Sequence, residues 1–129
     1  MLSQIKLIYL GKWLERHHFH RIAHLLSIYQ RVFYTCEIPF CTEIDRTVHF
    51  DHMGLGCVIN PNSVIGAHTE IQHHVTLGVR YSALNKDFSS NSLDSKKNLI
   101  APHIGHHCFI GAKATIIGGE KLVIMLALE

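Results

Sequence analysis

Residues 57–78 read CVINPNSVIGAHTEIQHHVTLG, and within them Ile59, Ile65, Ile71 and Leu77 fall six residues apart. Gly66 and Gly78 directly follow two of these aliphatic positions. The same beat returns at Ile104, Ile110 and Ile116, with Gly105 and Gly111 after the first two, and it is already present upstream at Ile38, Ile44 and Phe50. A period of six suits neither an α-helix, which repeats every 3.6 residues, nor a simple alternating strand. It does suit a solenoid whose triangular turns use three six-residue faces, each pointing one aliphatic side chain inward.

The breaks in this beat are as informative as the beat. From Phe50 to Ile59 the step is nine, so Asp51-His52-Met53-Gly54-Leu55-Gly56 has to leave the coil as a bulge or small loop. Function concentrates in loops carried on rigid repeats. A second excursion, 79–98, is rich in Ser, Asn, Lys and Asp and lacks periodicity, which predicts a long protruding loop. After Gly118-Gly119 the glycines and polar corner residues stop, and residues 120–129 read as the stub of an interrupted, longer solenoid. Upstream, residues 1–36 form a separate helical segment by pattern. Ile22, Leu25, Leu26, Tyr29, Val32 and Phe33 share one helical face, and Gly11 is the expected break between two helices. The expected organisation is therefore a helical lead-in at 1–36 followed by a mostly β solenoid domain at 37–129.

Composition removes several classes of function. The chain has 129 residues, 47% hydrophobic and 17% charged, as a single folded domain should. A formal charge of +2 without a basic run argues against nucleic acid. No apolar run reaches the length of a membrane span, and Lys6 and Lys12 break up the apolar N-terminus, so neither a span nor a secretory leader is expected. Cys36, Cys41, Cys57 and Cys108 form no CxxC pair and sit within periodic segments. Reduced, buried thiols and a cytoplasmic setting are expected.

Twelve histidines invite a search for chemistry. His17, His20 and His24 share a helical face, yet no carboxylate or cysteine pattern accompanies them, so no metal site is assigned. His106 and His107 occupy a corner, where polar residues belong, whereas His73 and His74 could line a cleft. His52 stands apart because it lies in the early break, beside Asp51 and near glycines. A histidine can take the proton of an alcohol as that alcohol attacks an acyl group, provided a carboxylate orients its other nitrogen. Asp51 points the opposite way in an extended segment, and Glu37, fifteen residues upstream, is expected to lie about one coil turn away.

The segment EIPFCTEIDRTVHFDHMGLGCVINPNSVIGAHTEIQHHVTLG, followed by APHIGHHCFIGAKATIIGG, resembles the hexapeptide-repeat acyltransferases. Within them it is most similar to the serine acetyltransferases and to relatives that acetylate sugars in polysaccharide biosynthesis. The resemblance implies a left-handed parallel β-helix, a homotrimer, acetyl-CoA as acyl donor and no metal. Position by position it implies a general base at His52 and its acidic partner at Glu37. Asp51 is implied as an acceptor contact, and Gly78, Ala112 and Ala114 as lining the acetyl-CoA groove. Ile100-Ala101-Pro102 stands where serine acetyltransferases carry Arg-His-Pro, which favours a sugar hydroxyl as acceptor. Serine is the alternative acceptor. Two further readings stay open: a zinc enzyme of the γ-carbonic anhydrase type recruiting His73, His74 and His103 or His106, and an inactive truncated scaffold.

Overall fold

A computed structural model describes residues 2–81, 99–118 and 121–122 of the chain. Helix α1 (Gln4–Arg16) buries Gln4, Leu7, Ile8, Gly11 and Leu14 along one stripe. It is clamped to the coil by the Tyr9 hydroxyl, which donates to the carbonyl of Ile44 at 2.6 Å. The helix runs straight through Gly11, contrary to the expected break. A Cβ there would lie 2.2 Å from the Phe40 ring, so the glycine serves close packing. The chain breaks instead at His17–Phe19, where His18 takes a left-handed backbone (φ 64°). Helix α2 (His20–Tyr29) passes into one π-helical turn (Gln30–Tyr34). The apolar face proposed for α2 is mostly turned outward. Ile22, Leu25, Val32 and Phe33 are all more than half exposed, and Ala23 is the residue α2 buries.

The coil follows the six-residue beat. Strands β1 (Glu43–Ile44), β2 (His49–Phe50), β3 (Val58–Ile59), β4 (Val64–Ile65), β5 (Glu70–Ile71) and β6 (Thr76–Gly78) run in chain order. After them come β7 (Arg80–Tyr81), β8 (Leu99–Ile100), β9 (His103–Ile104), β10 (Phe109–Ile110), β11 (Thr115–Ile117) and β12 (Lys121–Leu122). Three parallel sheets result, ordered β1-β4-β9-β12, β2-β5-β10 and β3-β6-β11. Each stacks inward residues in register: Ile44 on Ile65 on Ile104, Phe50 on Ile71 on Ile110, and Ile59 on Leu77 on Ile116. Ile59, Ile65, Ile71 and Leu77 are each 2% exposed or less. Burial of each such side chain contributes about 1.5–3 kcal/mol. The architecture is a left-handed parallel β-helix with an N-terminal helical segment.

Corners between faces need a left-handed residue, and His68, His74, His107 and Lys113 supply it at φ 54–65°. Histidine tolerates this region better than most non-glycine residues, which gives several of the twelve histidines a structural explanation. One contact at the base of the 79–98 excursion had no sequence signal: β7 pairs antiparallel with β8. Most of that loop, and most of the 120–129 tail, lies outside the described residues. Cys36, Cys57 and Cys108 are buried as expected, while Cys41 is exposed, and none of the four forms a disulfide among the described residues. No described helix is long and apolar enough to cross a membrane.

Candidate active site

The break after Phe50 is a short 3-10 turn, Asp51–Gly54, that carries His52 outward. His52 and Met53 both adopt left-handed backbone, at φ 52° and 57°, followed by Gly54 at φ 72° and Gly56 at φ 70°. Each non-glycine residue in that region costs about 1–2 kcal/mol, and such conformations persist only where neighbours over-determine them. Backbone bonds do so here: Leu55 N–H to the carbonyl of His52 at 3.1 Å, Gly56 N–H to Thr35 at 2.9 Å, and His74 N–H to Leu55 at 2.7 Å. A Cβ on Gly56 would fall 2.1 Å from the His74 ring, so His74 packs against bare backbone. The His52 ring stands perpendicular to the ring of His73, centroids 5.0 Å apart, and His73 in turn lies 5.5 Å from His74. The Nδ1 of His73 is buried and has no hydrogen-bond partner among the described residues. No hydrogen bond engages the His52 imidazole among those residues either, which leaves its ring nitrogens open to an incoming hydroxyl.

Next to this turn, the outward positions of the β2-β5-β10 sheet gather polar groups. His49 Nε2 donates to Asp51 Oδ1 at 2.9 Å. The Gln72 amide donates to Glu70 Oε1 at 3.0 Å and also to Asp51. Desolvation pushes the Asp51 carboxyl up, but hydrogen bonding from Glu70, the His49 imidazole and Gln72 outweighs it and holds the group below its ordinary value. Glu70 moves the other way: its hydrogen bond to Asp51, burial and the neighbouring charge raise it. The two carboxyls therefore favour sharing one proton.

The comparisons with known proteins point one way. No protein-family model matches the chain. It is 30% identical over 114 residues to serine acetyltransferase 5 of Arabidopsis thaliana, a match covering 79% of this chain and 32% of that protein. The soybean serine acetyltransferase solved in complex with serine is 27% identical and superposes with a TM-score of 0.68, covering 92% of this chain and 43% of that one. A serine acetyltransferase solved in complex with CoA shares the fold at 24% identity and a TM-score of 0.68, covering 92% and 42%. The chain is serine acetyltransferase-like. It spans about a third of the length of the Arabidopsis relative.

Within this serine acetyltransferase-like chain, the residues singled out from the sequence fall in three places. His52 and Asp51 share the inserted turn, with Asp51 tied to the polar cluster. Glu37 does not meet them as the fifteen-residue spacing implied. It pairs in register with Val58, twenty-one residues on, because the insert lengthens that turn by half a face. Its carboxylate instead takes Arg31 at 3.5 Å, and no hydrogen bond or ion pair joins it to His52 among the described residues. Gly78, Ala112 and Ala114 follow the far end of the coil. Gly78 pairs with Ile117, Ala112 is exposed at a corner, and Ala114 packs against the core. No group of three or more His, Cys, Asp or Glu suited to a metal occurs among the described residues. Sequence reasoning missed His49, Glu70 and Gln72. Their signal was the alternation around the beat, since residues flanking Phe50 and Ile71 must face outward on one sheet.

Proposed function

We propose that the chain is an acetyl-CoA-dependent O-acetyltransferase whose acceptor is the hydroxyl of serine or a closely related amino acid. The observation that carries this reading is His52, exposed on a turn held in left-handed backbone, in a coil that superposes on serine acetyltransferases. The sugar acceptor favoured by the Ile100-Ala101-Pro102 stretch finds no support. Serine is the molecule bound in the soybean and Neisseria gonorrhoeae structures, and CoA is bound in another.

In this mechanism His52 takes the acceptor's hydroxyl proton as its oxygen bonds to the thioester carbonyl carbon. Collapse of the tetrahedral intermediate breaks the C–S bond, and the imidazolium returns the proton to the departing thiolate. The donor already supplies an activated acyl group, so no protein nucleophile is required. Glu37, whose Oε2 takes Arg31, is assigned by resemblance to orient His52. Asp51 is assigned to the acceptor. Gly78, Ala112 and Ala114 are assigned by resemblance to the donor's groove; at Gly78 the absence of a side chain accommodates Ile117, whose Cδ1 would lie 2.6 Å from a Cβ there.

Assembly as a homotrimer belongs to the same reading. Its support is the outward face of the β3-β6-β11 sheet, where Val58 and Ile117 are about half exposed. Replacing His52 with Ala is expected to remove turnover at least a thousandfold while leaving the coil folded. Thiol release measured with acetyl-CoA and serine checks this, and undiminished turnover would overturn the role of His52.

A further inference from the structure

The turn that carries His52 is held from behind by a side chain of the N-terminal helix. Gln4 is 2% exposed, and among the residues α1 buries it is the only one with a polar side chain. Its Nε2 donates to the carbonyl of Met53 at 3.0 Å and to the Sγ of Cys36. Its Oε1 accepts from the Gln30 amide at 3.3 Å, and the Gln30 Oε1 in turn accepts from the backbone N–H of Ile38 at 3.4 Å. An unbroken chain of amides thus runs from the coil backbone, through two buried glutamines, to the residue after His52. Gly54 closes against it, since a Cβ there would lie 3.1 Å from the Gln4 nitrogen.

An aliphatic residue at position 4 would continue the stripe of Leu7, Ile8 and Leu14, and a buried amide is unfavourable unless its bonds are met. Here they are met, and the bond to the Met53 carbonyl engages a residue held in left-handed backbone at φ 57°. Satisfied buried polar networks rigidify one local arrangement. We propose that Gln4 is a positioning residue for His52, acting through the Met53 carbonyl. This rests on the reading of His52 as general base.

The experiment compares the full chain with Gln4→Met, which keeps the volume and removes the donors. kcat is expected to fall about tenfold while KM for acetyl-CoA stays within twofold. Amide hydrogen exchange at Leu55, Gly56 and Cys57 is expected to quicken, while Gly66 and Ile71 keep their protection. Wild-type protection at Leu55–Cys57 would overturn the proposal, as would a uniform loss of protection across the coil. Gln4→Glu is the second variant. It has the same shape, but once ionised it repels the Met53 carbonyl, so the protection factors of the turn amides, corrected for the pH dependence of intrinsic exchange, should fall with rising pH relative to the natural chain, and protection factors that track the natural chain at every pH would contradict the proposal. Amide exchange is read without turnover, so it decides on Gln4 even if His52→Ala proves fully active.

Discussion

Asp51 and Glu70 face each other across stacked strands, and their opposite shifts make a prediction whose sign can be worked out. The folded-state value of Glu70 lies above its ordinary one, near 4.3. Its contribution to stability is therefore complete below that pH and is lost as the pH rises through the raised value. Asp51 is depressed, so its contribution is present above about 3.9 and is lost as the pH falls through its lowered value. Glu70→Gln keeps a donor beside Asp51 at every pH. Its thermal midpoint is expected to decline less than that of the natural chain as the pH rises from about 4 through the raised Glu70 value, with the two converging below pH 4. A difference between them that does not change with pH would contradict the shared proton. The exposed placement of His52 was legible in the sequence because a nine-residue step in a six-residue beat has to expose something. Gln4 behind the turn and Glu70 beside Asp51 were not legible, because Gln4 meets Met53 49 positions along the chain and Glu70 meets Asp51 only once the strands stack.

At the scale of elements, the beat translated directly into stacked columns, because a period of six leaves one inward residue per face. What the beat does not carry is the register across interruptions. Ile65 meets Ile104 only after the whole 79–98 excursion, and Glu37 meets Val58 only because the His52 turn adds three residues. The helices were legible in type and less so in detail. Gly11 reads as a breaker from propensity alone, whereas tertiary packing against Phe40 explains it. Gly→Ala within a helix normally stabilises by about 0.5–1 kcal/mol. Gly11→Ala is expected to reverse that sign and destabilise by about 1–3 kcal/mol, as overpacking does. Chemical denaturation checks it, and a gain in stability would show that the Phe40 ring gives way easily.

Considered as a whole, the molecule sets an exposed histidine on a rigid left-handed coil and leaves apolar surface outside it. Val58 and Ile117 lie on one sheet, and α2 exposes Ile22, Leu25, Val32 and Phe33. Exposed apolar residues are ordinary singly, and Val58 and Ile117, on the two outer strands of one sheet, are the positions a subunit contact there would cover. Sedimentation is expected to give the mass of three chains, and Val58→Arg is expected to lower it; a monomer at micromolar concentration would remove the trimer from the reading. Acceptor identity was the least legible property. Ile100-Ala101-Pro102 pointed toward sugars by what it lacks, whereas the proposal of serine rests on similar proteins solved with serine bound.

The most direct test of an acetyltransferase built on His52 is release of free coenzyme A thiol from acetyl-CoA. It should be followed with serine or a sugar as acceptor, in the natural chain and in His52→Ala. Release with serine, little with the sugar and none in His52→Ala is the expected result. No release with either acceptor, or equal release in the two proteins, would contradict it.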